Sequence, residues 1–295
     1  MDAPGPTDTD SRPHALPLPT TFGGVAALAS GPPTRLRIWQ TLIAAISAGI
    51  LVWAFQATWG RALEHAAASL PARGEIRQGA LVWEHPAPLV LHQGAFLSLV
   101  IDPHGTREIG QAADVTLSLE ASHLGIRSLF GWTQVPYPRN GRFSLSRTEA
   151  SAQIAAWRTP LLALLGALIV LGLAIAWLAL ALLHTPILAT AAFLVGRPLS
   201  LGVAWQLAQA ALLPGALLMA AAVALYASRQ LSLVGLLVAL PLHLVAGWIF
   251  AAGGAWKLTR PPASPPANPF RPPDPEPLPA PTDAVAPENP FISPR

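Results

Sequence analysis

Gln206, Gln209 and His243 are the polar side chains most out of place in this sequence, because each lies inside a long apolar run. The glutamines share one face of Leu201–Ala227, and the histidine sits near the middle of Leu231–Ala252. Amide and imidazole groups in apolar surroundings need partners. They can hydrogen-bond one helix to another, or they can line a path for a solute or a proton. Gln209 is about 8 residues in from Leu201, and His243 about 9 in from Ala252. At 1.5 Å rise per residue that places them within a few Å in depth, so an antiparallel helix pair is expected to bring them together. Pro214 and Pro241 interrupt the same runs and free the carbonyls of Ala210 and Leu237.

Other chemistry is scarcer. No Asp or Glu falls between Glu149 and Asp274, so a carboxylate relay or an acidic cation site has no donor in these runs. There are no cysteines, which excludes disulfides and thiolate chemistry. No H-E-x-x-H or G-x-S-x-G motif occurs. His65, His85, His92, His104 and His123 fall in one polar region without compact ligand spacing, so surface and turn positions are expected and no metal or cofactor site. No catalytic pair emerges from that region's acids, which nine arginines nearly match. A Pro-rich tail carries Asn268-Pro269-Phe270 and Asn289-Pro290-Phe291. Such a tripeptide can turn tightly and present its Phe to a recognition module, or it can arise by composition alone.

Long apolar elements must hold these residues. Four runs stand out: one within 35–59, then 161–183, 201–227 and 231–252. A run of 22 residues reaches about 33 Å, enough for a hydrocarbon core of roughly 30 Å. Composition agrees: 52% hydrophobic, 11% charged, mean hydropathy +0.46. The expected fold is a polytopic α-helical membrane protein with four transmembrane helices and a small β-rich or α+β domain between helices 1 and 2. Net charge is only +3 and the arginines are scattered, so nucleic acid is not an expected partner. The partners expected are the lipid bilayer, and other proteins or further copies of the chain through the membrane helices; small-residue pairs at Ala45/Gly49, Ala163/Ala167 and Ala211/Gly215 support a packed bundle. Arg35 and Arg37 before the first run, with Lys257 and Arg260 after the last, put both termini in the cytoplasm.

Residues 1–34 read as a disordered arm and 258–295 as a disordered tail. Residues 186–196 are too short to cross and read as an interfacial segment within the block 159–257. The extracytoplasmic domain is expected over 60–158. Arg61–Leu70 is helical, and strands follow at Glu75–Glu84, Ala95–Ile101 and Asp114–Glu120. Asp102-Pro-His-Gly105 is a turn, Asn140-Gly141 a hairpin turn, and Glu149–Trp157 a helix. Val115, Leu117, Leu119, Phe143 and Leu145 are expected to face inward.

Leu70-Pro71, Glu75-Ile-Arg-Gln-Gly-Ala-Leu-Val82, Leu97-Ser-Leu-Val-Ile-Asp102 with Gly105, and the segment Gln206–Pro214 resemble the pattern of a bacterial membrane protein family of unknown function. Some of its members are encoded beside maltodextrin-utilisation genes, and it belongs broadly to a Yip-like clan. The resemblance spans roughly 35–257, implies a bacterial inner-membrane location and brings no catalytic residues. A non-enzymatic scaffold, accessory or sensing protein is therefore expected, with a subunit of an oligomeric transporter or channel as the alternative.

Overall fold

A computed structural model describes residues 17–105 and 113–258. The chain enters through α1 (Phe22–Ser30), then α2 (Pro33–Phe55), which a π-turn at Gln56–Gly60 joins without a break to α3 (Arg61–Ser69). Eight strands follow: β1 (Glu75–Arg77), β2 (Ala80–Val82), β3 (Leu89–Gln93), β4 (Leu97–Ile101), β5 (Val115–Leu119), β6 (His123–Ser128), β7 (Gly131–Pro136) and β8 (Arg142–Ser144). Three long helices close the described chain: α4 (Arg147–Leu194), α5 (Leu201–Ala227) and α6 (Leu233–Lys257). Four helical stretches, Pro33–Ser69, α4, α5 and α6, are long and apolar enough to cross a membrane, and the β-rich region lies between the first and second of them.

Small residues let α5 occupy the centre of the helical block. Leu207, Ala210 and Leu213 are fully buried among α1, α2, α4 and α6. Glycines set the register against α6. A Cβ on Gly215 would collide with the carbonyl oxygen of His243, and one on Gly247 would touch the Ala211 oxygen at 3.6 Å. At Gly215 only a missing side chain permits this approach, whereas at Gly247 a methyl group would make an ordinary contact. The pair Ala211/Gly215 thus lies in a helix contact, whereas Ala45, Gly49, Ala163 and Ala167 are exposed.

Three expectations about the helices change. The arm 1–34 holds α1, whose Val25 and Leu28 are 0% exposed. Thr21 Oγ1 caps it by accepting from Gly24 N at 2.9 Å, and its apolar side chains recur at Phe22, Val25 and Leu28/Ala29, a helical period too short to stand out. Gly253 and Gly254 of α6 form its bed, Gly253 beneath the Phe22 ring and Gly254 beneath Val25. Residues 186–194 continue α4 instead of forming a separate interfacial segment; Pro160 and Pro186 lie inside this 48-residue helix. Lastly, α6 runs five residues beyond Ala252, to Lys257.

The β region holds two sheets, β2-β1-β8 and β3-β4-β5-β6-β7. All pairings are antiparallel except β4–β5. Leu97, Leu99 and Ile101 of β4 are buried against Ala62 and Ala66 of α3, with Val115, Leu117, Leu119 and Leu145 packed around them. Gly105 N donates to the Asp102 carbonyl at 3.1 Å, closing the expected turn. The expected strand Glu75–Glu84 is instead a hairpin, turned by Gln78 (φ 53°) and Gly79 (φ 79°). Asn140-Gly141 does not close a hairpin, because β8 pairs with β1 and not with β7. Phe143 therefore stands on an edge strand and is 50% exposed, not inward.

The docking of α1 yields a stability prediction. Leu28→Ala should destabilise the folded chain in detergent by about 2 kcal/mol or more. Ala27→Leu, on the exposed side of α1, should move the melting temperature little. Equal melting temperatures for both variants and the wild type would show that α1 is not part of the packed block.

Candidate functional site

The polar residues of the helical block meet partners, but not the expected ones. Gln206, one turn into α5, faces the end of α1, where surrounding carbonyls orient its amide with the nitrogen toward them. There it donates to the carbonyls of Ala29 at 3.0 Å and Gly31 at 3.1 Å. Those are C-terminal carbonyls that a short helix leaves unsatisfied, so Gln206 caps α1 in trans. Gln209 turns to α2 and accepts from Gln40 Nε2 at 3.5 Å.

His243 does not join Gln209. Its backbone lies against Gly215, six residues further along α5 and so about 9 Å away in depth. The extension of α6 to Lys257 is the reason: His243 lies fourteen residues from the end of its helix, five more than its distance from Ala252. Its Nδ1 is buried and unpartnered, as are Ser47 Oγ and Trp39 Nε1 of α2. His184, just outside the run assigned to the second span, was not singled out; it is buried in α4 and meets Trp248 of α6 edge-on, with ring centroids 4.3 Å apart. Its position two residues before Pro186 is what placed it beyond the span boundary.

A polar cleft of about 410 Å³ opens where the β region meets α4. Glu75, Glu84, Glu149, Arg73, Arg142, Ser144 and Ser146 are among the residues that line it. Arg142 Nε donates to Glu75, which Arg77 also approaches at 3.6 Å. Ser146 caps α4 by accepting from Glu149 N at 3.4 Å, so the cleft wall is the first turn of a long apolar helix. The arrangement suits ion pairing with a polar or zwitterionic ligand. No histidine lines it, and the Ser146 hydroxyl is engaged in capping α4.

A second polar network crosses β5 and β6. Ser118 Oγ donates to Glu120 Oε1 at 2.9 Å, and Glu120 Oε2 meets His123 Nε2 at 2.9 Å. Here the carboxylate stands between hydroxyl and imidazole, the wrong order for nucleophile activation. Ser122 Oγ does reach His123 Nδ1, at 3.2 Å, but on an exposed turn. The neighbouring recess of about 30 Å³ holds no more than a water-sized group. Tyr137 OH donates to the Glu120 carbonyl at 3.1 Å. Burial, aided by the Glu120 charge, pushes its phenol well above the ordinary range.

Among the described residues, no three His, Asp or Glu side chains come together as a metal site. His65 and His92 stack with centroids 6.0 Å apart. The motifs Asn268-Pro269-Phe270 and Asn289-Pro290-Phe291 lie outside the described residues.

Two predictions follow from this geometry. A double-mutant cycle of Gln40→Leu and Gln209→Leu should give a coupling of about 0.6 kcal/mol. The cycle of Gln209→Leu with His243→Leu should give none, and thermal unfolding of the single and double variants measures both. Burial, and then the His65 charge, hold His92 below its ordinary value of 6.5. The unfolded chain therefore binds the proton more readily, so this contribution to stability is complete above about pH 6.5 and is lost as pH falls below it. The melting temperature should drop between pH 7.5 and 5.5, and His92→Asn should flatten that drop.

No protein-family model, curated protein or solved structure matches this chain.

Proposed function

We propose that this chain is a multi-pass membrane protein acting as a non-enzymatic scaffold, accessory or sensing subunit. Its β domain lies outside the cytoplasm, with the termini inside. Arg35, Arg37 and Lys257 flank the spanning helices on the side that would face the cytoplasm. One observation carries the sensing role. The β domain is clasped to the turn between α5 and α6: Tyr226 OH donates to Asp114 Oδ2 at 2.8 Å, and its ring meets Phe96 edge-on at 4.9 Å. The Arg229 guanidinium lies over the same Phe96 ring, 5.7 Å from its centre. A domain serving only as a tethered binder would not need a hydrogen bond from a spanning helix to the start of its central parallel strand. The cleft adds support, since a ligand seated there would touch the cap of α4.

The alternative is a subunit of an oligomeric transporter or channel. The buried polar atoms of Trp39, Ser47 and His243 within the block favour it. Four spans would then assemble with further copies to enclose a path.

Tyr226→Phe and Asp114→Leu each remove the clasp's hydrogen bond while keeping size, since neither leaves a donor–acceptor pair. Hydrogen exchange on the full chain should then quicken both in β5 and in the last turns of α5, with each variant affecting both sides. If each change is felt only in the element that carries it, domain and helices are not coupled and the sensing reading fails.

A further inference from the structure

We propose that an anionic phospholipid occupies the groove between the C-terminal turns of α4 and α6, with one acyl chain in the groove and its phosphate on Arg197. The groove measures about 310 Å³ and is walled by Ile187, Ala191, Ala192, Trp248, Ala252 and Ala255. Alanines on both helices make it concave. Its size falls at the low end for small-molecule sites, enough for a length of acyl chain rather than a whole lipid.

Arg197 sits at the mouth. Its guanidinium is held in place, stacked 4.4 Å from the Trp256 ring centre and donating Nη1–H to the Trp256 carbonyl at 2.7 Å. That bond uses one of five N–H donors. Charge complementarity selects the occupant. No acid occurs between Glu149 and Asp274, and every described carboxylate belongs to the β region and its flanking helical turns. That region clasps the far end of α5, about 40 Å away along its 27 residues. No described carboxylate is therefore near enough to neutralise Arg197. Lys257, in the last turn of α6, adds a second cation on the same end. Trp256 is 67% exposed at this level, as aromatic side chains are at a bilayer interface. An acyl-lined slot beneath a fixed guanidinium matches a phospholipid with net negative charge, because guanidinium and phosphate pair through charge-assisted hydrogen bonds.

Native mass spectrometry of the full chain in detergent tests this, using phosphatidylglycerol and phosphatidylcholine with identical chains. The wild type should retain phosphatidylglycerol in preference, and Arg197→Ala should weaken that retention about tenfold, the scale of a lost charge-assisted hydrogen bond. Lys257→Ala should weaken it much less. Ala191→Phe, which fills the groove and keeps Arg197, should also abolish retention, and it stands as the independent test if Arg197→Ala fails to fold. Glycerol 3-phosphate in excess should not displace the lipid; displacement would show a free-phosphate site and overturn the proposal. Equal retention of the two lipids by the wild type would overturn it, as would equal losses in the Arg197 and Lys257 variants, which would show only diffuse attraction. Unchanged retention in Ala191→Phe would place the lipid elsewhere.

Discussion

The helical block depends on the backbone contact between Gly215 and His243. Apolar side chains gain little by leaving lipid for one another, so helices surrounded by lipid are held by close packing and scarce hydrogen bonds. At Gly215 the packing reaches its limit: the α5 backbone lies directly against an α6 carbonyl, with no room for a methyl group. This contact fixes the register of the two helices. It thereby decides where Gly247 and Gly254 fall, and so where α1 finds its bed. His243 is present at that point for its backbone as much as for its ring.

The polar groups then divide by role. Gln206 completes the hydrogen bonding of a nine-residue helix that could not persist alone. Gln209 ties α2 to α5 through Gln40. His184 contributes an edge-on aromatic contact between α4 and α6. Each bonds or packs a different helix pair, so the polar positions form a set of separate ties, not one cluster. The β region is organised differently. Its core is ordinary aliphatic packing of β4 and β5 beneath α3, and Arg73, Glu75, Glu84, Arg142 and Glu149 line the cleft.

The elements with strong periodic signals were legible in the sequence. Apolar length alone located the four spanning candidates, and strict alternation placed β5. The losses have physical causes. The helix α1 is short and glycine-rich, so its apolar period repeats only twice; its Thr21 cap was the available signal. The hairpin β1–β2 was hidden because Gln78 adopts positive φ, a conformation seldom supplied by glutamine. Phe143 obeyed alternation but fell on an edge strand, which period alone does not reveal. Gln209 and His243 were paired by counting from span ends, and apolar composition does not mark where a helix stops: α6 continues through Gly253, Gly254 and Lys257. The partners Gln40 and Tyr226 each look unremarkable in sequence, because what sets them apart is the element they face.

The length of α4 has a consequence for the bilayer proposed around this chain. From Pro160 to Leu194 it carries 35 residues without a charged side chain. That is about 52 Å of apolar rod against a hydrocarbon core of roughly 30 Å. Such mismatch is relieved by tilt, by bending or by local thickening of the lipid, at fractions of a kcal/mol per Å. Pro160 and Pro186, near the two ends of that stretch, mark the points where the rod bends most readily. In such a bilayer the energy of the folded state would depend on membrane thickness, which would favour bilayers that suit the tilt of its longest helix.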